Sequence, residues 1–249
     1  MNVPLLDLKA QYQAIKGDVD RAVRSVLDRQ EFIMGREVGE LETAIAAVSQ
    51  TKFAIACASG TDAILLPLMT LDLAPGDQVI APSFTFFATA GTIHNAGGTP
   101  VFVDIDPATF NIDPAAIEGA ITPRTRAIVV VHLFGQMAAM DRIMAIAARH
   151  NLPVIEDTAQ SIGARRLIDG AWRVAGELGW CGTLSFFPSK NLGAYGDGGM
   201  IVTQDEPTAA RLKKLRLHGG AKQYHHDEVG TNSRLDTLQA AILLAKLPY

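Results

Sequence analysis

From Phe53 onward the chain alternates short, wholly apolar runs with stretches of helical period, and that alternation restricts it to few architectures. Phe53 to Cys57, Gln78 to Ala81, Pro100 to Asp104, Arg126 to His132 and Leu152 to Ile155 read as strands, as do Thr183 to Phe187 and Gly199 to Thr203. Between them, Thr61 to Leu71, Thr85 to His94, Pro114 to Ala120 and Met140 to His150 have helical spacing. So do Leu8 to Leu27 and Val38 to Ser49 before them, and Pro207 to Leu217 and Leu235 to Leu247 after them. Strands that are apolar throughout belong in a sheet covered on both faces. Regular alternation with helices makes that sheet largely parallel. The expectation is one continuous α/β domain, with ligands bound beyond the carboxyl ends of the strands.

Composition removes several functions. With 249 residues and 48% hydrophobic content the chain can bury a sizeable core. A formal charge of -4 gives no electrostatic case for nucleic acid. No apolar run approaches the roughly 20 residues of a membrane-spanning helix. Met1-Asn2-Val3-Pro4 lacks the charged and apolar regions of a signal peptide, so a cytoplasmic location is expected. Cys57 and Cys181 stand apart, beside apolar residues, and read as buried thiols in a reducing compartment. Neither has a metal-ligand neighbour at zinc spacing, and His132, His150, His218, His225 and His226 form no metal pattern. The helical period running into Leu247 stops at Pro248-Tyr249 without a capping glycine, which reads as a piece cut from a longer protein.

The residues that could carry chemistry fall at strand ends. Lys190 lies in Ser185-Phe186-Phe187-Pro188-Ser189-Lys190, ahead of the glycine-rich Gly193 to Gly199. Glu156-Asp157 closes the apolar run Leu152 to Ile155. A lysine on a turn and an acid at a strand end are what a pyridoxal 5'-phosphate enzyme needs. The amine bonds the cofactor aldehyde, and the carboxylate keeps the pyridine nitrogen protonated. Gln160, three residues after Asp157, could reach a ring oxygen. Ser59-Gly60-Thr61-Asp62 joins a strand to a helix, where free backbone N–H groups suit a phosphate. An ordinary helix cap by Ser59 or Thr61 explains the same residues. Ser185, five residues before Lys190, could hold the same phosphate. Phe84, Phe86 and Phe87 follow a strand; one could stack on a flat ring, although core packing is the simpler account of aromatics there.

Taken in order, these motifs resemble a known family. Ser59-Gly60-Thr61-Asp62-Ala63, Glu156-Asp157-Thr158-Ala159-Gln160-Ser161, Ser185 to Lys190 and Asn232-Ser233-Arg234-Leu235-Asp236 are similar to those of the DegT/StrS sugar-nucleotide aminotransferases. Pro4-Leu5-Leu6-Asp7-Leu8 and Phe32-Ile33-Met34-Gly35-Arg36-Glu37-Val38 are similar too, with Met34 and Arg36 where the family usually has Leu and Pro. The resemblance implies the large domain of a three-layer α/β/α fold-type-I pyridoxal-phosphate transferase over residues 1–249, lacking the family's small C-terminal domain. It also implies a homodimer. Lys190 would be the covalent anchor and proton shuttle, Asp157 the partner of the pyridine nitrogen, and Gln160 a neighbour of the ring hydroxyl. Gly60, Thr61 and Ser185 would bind the phosphate and Phe86 would stack on the ring. Asn232 would reach the phosphate held by a second subunit, and Arg234 would touch substrate across the same interface.

Tyr224-His225-His226 and the run from Val229 to Leu244 are nearest the enzymes that aminate a UDP-linked 3-keto-N-acetylglucosaminuronate for surface polysaccharides, with glutamate as the expected donor. Three rivals stand beside this reading. Sugar dehydration is opposed by Lys190, where the family's dehydratases carry histidine. A regulatory protein that kept the fold but lost activity is opposed by the intact Lys190, Asp157 and Ser185. A nicotinamide enzyme is opposed by the lack of a Gly-x-Gly-x-x-Gly turn.

Overall fold

The computed structural model describes residues 6–222 and 224–249. Met1-Asn2-Val3-Pro4 and the Pro4-Leu5 part of the opening motif lie outside the described residues. Two helices come first, α1 (Leu8–Arg29) and α2 (Arg36–Val48). The alternating region follows as β1 (Phe53–Cys57), α3 (Gly60–Met69), β2 (Gln78–Pro82), α4 (Phe87–Asn95), β3 (Thr99–Val103), α5 (Pro114–Ala120), β4 (Thr125–Val131), α6 (Met140–His150) and β5 (Val154–Asp157). Next come the hairpin β6 (Arg165–Ile168) and β7 (Ala171–Val174), then β8 (Cys181–Ser185), β9 (Gly199–Thr203), α7 (Glu206–Leu215) and α8 (Thr237–Lys246).

Apart from the hairpin, the strands form one seven-stranded sheet in the order β1-β9-β8-β5-β4-β2-β3. Only β9 is reversed, antiparallel to both neighbours; the others run in one direction. Alternation of side chains along each strand sorts the core into two layers. Ile55, Cys57, Val79, Ala81, Val129, Ile155 and Ile201 face α3, α4 and α7. On the opposite face, Ala54, Ala56, Met200 and Val202 pack on α2 and α8, and Ile80, Ile128, Val130 and Val154 on α5 and α6. α1 is held outside this layer by Ile15 and Val19 against Ile242 of α8. The three-layer arrangement and the mostly parallel sheet agree with the sequence reading.

Two details differ from it. The β6–β7 hairpin was not expected, because its four-residue strands are rich in arginine and largely exposed rather than apolar. The strand ahead of Lys190 begins at Cys181 and ends at Ser185, two residues earlier than its apolar pattern suggested. Gly182 explains the early start: a Cβ there would collide with the Gly176 backbone at 2.6 Å, so the strand begins against a close backbone approach.

A buried polar knot fastens α2 to β1. The Arg216 guanidinium, just past α7, donates from Nη1 to Glu42 Oε1 at 2.5 Å and to the Ala56 carbonyl at 2.8 Å. Glu42 Oε1 also accepts the Ala56 N–H at 2.9 Å. Removing one member of such a pair strands the other charge, whereas replacing both with apolar groups does not. Arg216→Met is therefore expected to destabilise the fold by about 3 kcal/mol, and Arg216→Met with Glu42→Leu to recover only part of that loss, because the buried Ala56 N–H and carbonyl then lack partners. Urea unfolding of the three proteins checks both expectations.

Candidate active site

Because the strands share a direction, their carboxyl ends meet along one edge of the sheet. There β1 turns into α3. Ser59 is extended, and its Oγ accepts the Asp62 N–H at 3.1 Å while its carbonyl accepts that of Ala63 at 2.9 Å. These bonds use the third and fourth amides of the turn. The amides of Gly60 and Thr61 find no acceptor among the described residues. A helix start with two unused N–H groups is an anion site in geometry as well as dipole. So Ser59 is the cap, and that leaves the Gly60 and Thr61 amides available to an anion.

Ser185 closes the other side of that turn. A Cβ on Gly60 would lie 2.5 Å from the Ser185 Cβ and 2.7 Å from its Oγ. The end of β8 therefore meets the start of α3 only because position 60 has no side chain. Gly199, at the start of β9, admits the same turn from beneath, since its Cβ would strike the Ser59 carbonyl.

At the end of β5 the neighbouring acids separate. Glu156 faces away from α3 and is fully buried. It accepts the N–H groups of Gly176 (3.1 Å), Leu178 (2.8 Å) and Gly179 (2.5 Å), and the His132 Nε2–H at 2.8 Å. His132 Nδ1 accepts the Ala138 N–H at 3.1 Å, which places the ring proton on Nε2. The ring that showed no metal pattern in sequence is thus a buried structural link. Asp157 lies on the opposite face, also buried, with Oδ1 accepting the Ala159 N–H at 3.0 Å. Its other oxygen has no partner among the described residues. Burial pushes its carboxyl above the usual aspartate range, opposed by the Ala159 N–H, the Lys190 ammonium and His132.

Lys190 stands half-buried on a turn in which its N–H bonds the Phe187 carbonyl at 2.8 Å. Two residues of α8 steady this turn. Buried Lys246 donates to the Gly193 carbonyl, and Gln239 Oε1 accepts the Tyr195 N–H at 2.9 Å. Gly193 is required there, because a Cβ would meet the Pro188 carbonyl.

The remaining candidates take varied positions. Gln160 is half-buried, and its carbonyl is committed to the Phe134 N–H at 2.9 Å, so only its NH₂ group is available to a ligand. Phe86 precedes α4 with 74% of its surface exposed, and Phe84 and Phe87 are exposed as well, so the core-packing account of these aromatics fails. Asn232 is exposed and Arg234 half-buried, the latter with no carboxylate partner among the described residues. Between them, buried Ser233 reaches back to Ala58 and Asp62 of the β1–α3 turn. Sequence reasoning assigned no role to Glu156, His132 or Ser233. The Glu156-Asp157 doublet did carry a signal, since adjacent strand residues face opposite ways and only one of them can serve the edge.

This fold and edge define the large-domain class of α/β transferases. Residues 13–249 match the DegT/DnrJ/EryC1/StrS aminotransferase family, and the chain belongs to it. It is 54% identical over its whole length to the pleiotropic regulatory protein of Geobacillus stearothermophilus, covering 66% of that protein. It is 49% identical over 98% of its length to the UDP-2-acetamido-2-deoxy-3-oxo-D-glucuronate aminotransferase of Pseudomonas aeruginosa, covering 67% of that protein. Among solved structures, a DegT DnrJ EryC1 StrS aminotransferase from Brucella abortus superposes over 99% of this chain and 67% of its own, with a TM-score of 0.95 and 43% identity. NtdA from Bacillus subtilis, with bound cofactor PMP, does so over 100% of this chain and 56% of its own, with a TM-score of 0.92 and 38% identity. The chain spans about two thirds of the length of the curated relatives it matches.

Gly60→Ala must displace Ser185, and a fall in unfolding free energy of about 1–3 kcal/mol is expected from the overpacking. Asp157→Asn should act in the opposite sense on the ligand-free protein. A carboxyl whose folded pKa is raised costs stability when ionised, so the amide should melt higher at pH 7. That gain should shrink as pH falls through the raised pKa and be absent below about 3.9, the ordinary aspartate value. Thermal melts of both proteins across that range check the sign.

Proposed function

We propose that the chain is the cofactor-binding part of a pyridoxal 5'-phosphate aminotransferase that passes an amino group from glutamate to a keto sugar carried on a nucleotide. The observation that carries this reading is the grouping at one sheet edge of an amine, a buried half-paired carboxylate and a helix start with two unused amides beside a serine hydroxyl. The residues fit the group. Gly60 and Thr61 offer two unused amides beside the Ser185 hydroxyl, and Asp157 offers a desolvated oxygen that a pyridinium N–H would satisfy. Bound there, the cofactor supplies an aldehyde that condenses with amines and a ring that takes up electrons.

The protein's own contribution follows from placement. Asp157 would hold a proton on the pyridine nitrogen, and its burial would strengthen that charge pair. Lys190 Nζ would hold the cofactor, and as an amine on that turn it would be the group placed to carry a proton at this end of the site. Gln160 offers its NH₂ group to the ring oxygen, and exposed Phe86 offers a face for stacking. In a homodimer, Asn232 would reach the phosphate of a second copy. Phe84, Phe110 and Phe134, exposed and packed on one another with ring centroids 5.8–6.5 Å apart, are of the kind a second copy covers.

For the substrate, the preferred reading is a UDP-linked 3-keto-N-acetylglucosaminuronate destined for surface polysaccharide. The Pseudomonas aeruginosa relative is named for that sugar, and Arg234, half-buried and without a carboxylate partner among the described residues, would supply a cation for its carboxylate. A dTDP-linked keto-deoxysugar is the alternative. Among the described residues no helix is long and apolar enough to cross a membrane. A regulatory role is the second reading, favoured by the name of the Geobacillus relative, and it requires cofactor or ligand binding without amine transfer.

Borohydride reduction of the protein with pyridoxal 5'-phosphate, followed by peptide mass mapping, is expected to place a phosphopyridoxyl group on Lys190. Lys190→Ala should abolish that adduct, leave the circular dichroism unchanged and slow amine transfer by at least about a hundredfold. An adduct on a different lysine, or undiminished transfer in the variant, would overturn the proposal.

A further inference from the structure

One buried hydroxyl reaches the phosphate turn from a segment remote in sequence. Ser233 is fully buried, and its own N–H is bonded to the Arg216 carbonyl at 3.0 Å. Its Oγ accepts the Ala58 N–H at 3.1 Å and donates to Asp62 Oδ2 at 2.6 Å. Ala58 and Asp62 are the two ends of the turn whose middle residues, Gly60 and Thr61, present the unused amides. A single side chain therefore spans the turn from end to end, and it is anchored through Arg216 to Ala56 and Glu42.

The bond to Asp62 has a second consequence. A carboxylate in the first turn of a helix suits the helix dipole, and a free one would turn toward any unused amide nearby. Here those amides are the ones a phosphate would need. The Ser233 hydroxyl holds the carboxylate by Oδ2, and neither amide donates to it among the described residues.

We propose that Ser233 is a positioning residue for phosphate binding: it fixes the Ser59–Thr61 turn and keeps Asp62 off the Gly60 and Thr61 amides. This rests on the reading of Gly60, Thr61 and Ser185 as a phosphate cradle. It predicts an effect confined to the phosphate end of the ligand, which a general loosening of the fold would not give.

The test compares the equilibrium binding of pyridoxal 5'-phosphate with that of pyridoxal, which lacks the phosphate, by absorbance titration of the whole chain. Ser233→Ala is expected to weaken the phosphorylated ligand about tenfold, the scale of one lost hydrogen bond, and to leave pyridoxal within about twofold. A paired comparison guards against misfolding of that variant. Asp62→Asn keeps an acceptor oxygen for the Ser233 hydroxyl and Asp62→Ala does not, while both remove the charge. The alanine form should bind pyridoxal 5'-phosphate several-fold more weakly than the asparagine form, with equal pyridoxal binding. Equal affinities of the two Asp62 variants for pyridoxal 5'-phosphate would overturn the role of Ser233, as would an unchanged ligand preference in a folded Ser233→Ala. If the parent chain binds pyridoxal as tightly as its phosphate, the cradle itself is wrong and the inference falls with it.

Discussion

The common direction of the strands is the constraint on which the site depends. Carboxyl ends that point one way place residues far apart in sequence side by side, and the parallel registers set how closely. Val131 of β4 lies opposite Asp157 of β5, which lies opposite Thr183 of β8, two residues before Ser185. The amide of His132 continues that ladder onto the Asp157 carbonyl at 3.0 Å. The reversed strand β9 makes the remaining junction possible. It starts at the edge where the others finish, so the glycine run after Lys190 leads straight back into the sheet, and Gly199 can lie against Ser59.

Buried charge at this edge is divided between structure and chemistry. Glu156 is supplied with three backbone N–H groups and an imidazole N–H, which leaves it nothing to offer a ligand. Its work is to hold the 176–179 loop and His132 against the end of β5. Asp157, one residue along and on the opposite face, is left short of partners, and burial raises its pKa as a result. A desolvated carboxylate with an unfilled oxygen is unfavourable by itself and favourable beside a cation. The strand's two-residue period thus separates a satisfied acid from an unsatisfied one, and only the second has affinity left for a ligand.

Legibility in the sequence followed the range of the interactions. The fold class was readable because apolar strands and helical periods are local patterns. Asp157 and Ser185 stood out as strand-end residues and Gly60 and Lys190 as residues of the turns that follow strands, and their order along the chain resembled a family. Ser233 was not, because its partners Ala58 and Asp62 lie more than 170 residues away and nothing around position 233 indicates them. The aromatics after β2 misled: exposed phenylalanine at a strand end has the same local pattern as buried phenylalanine, and only the sheet edge distinguishes them. The β6–β7 hairpin was readable in principle. Asp169-Gly170, with φ of 49° and 78°, is the turn that hairpins with two-residue loops favour, but the charged flanks hid the strand pattern.

The edge also separates what a ligand shares with its relatives from what distinguishes it. The turn proposed to hold a phosphate offers backbone amides and is closed by glycines that admit no side chain at 60 and 199, so substitution there is penalised by collision. Such a surface recognises a phosphate regardless of what the phosphate is attached to. Arg234, Asn232 and Phe86, by contrast, are half-buried or exposed side chains outside the sheet, able to change identity without disturbing it. Arg234 is nevertheless next to Ser233, whose hydroxyl grips the turn. On the proposed function, the side chain that would tell one sugar from another therefore neighbours the hydroxyl that grips the turn, and a change of substrate preference at 234 would have to leave position 233 undisturbed.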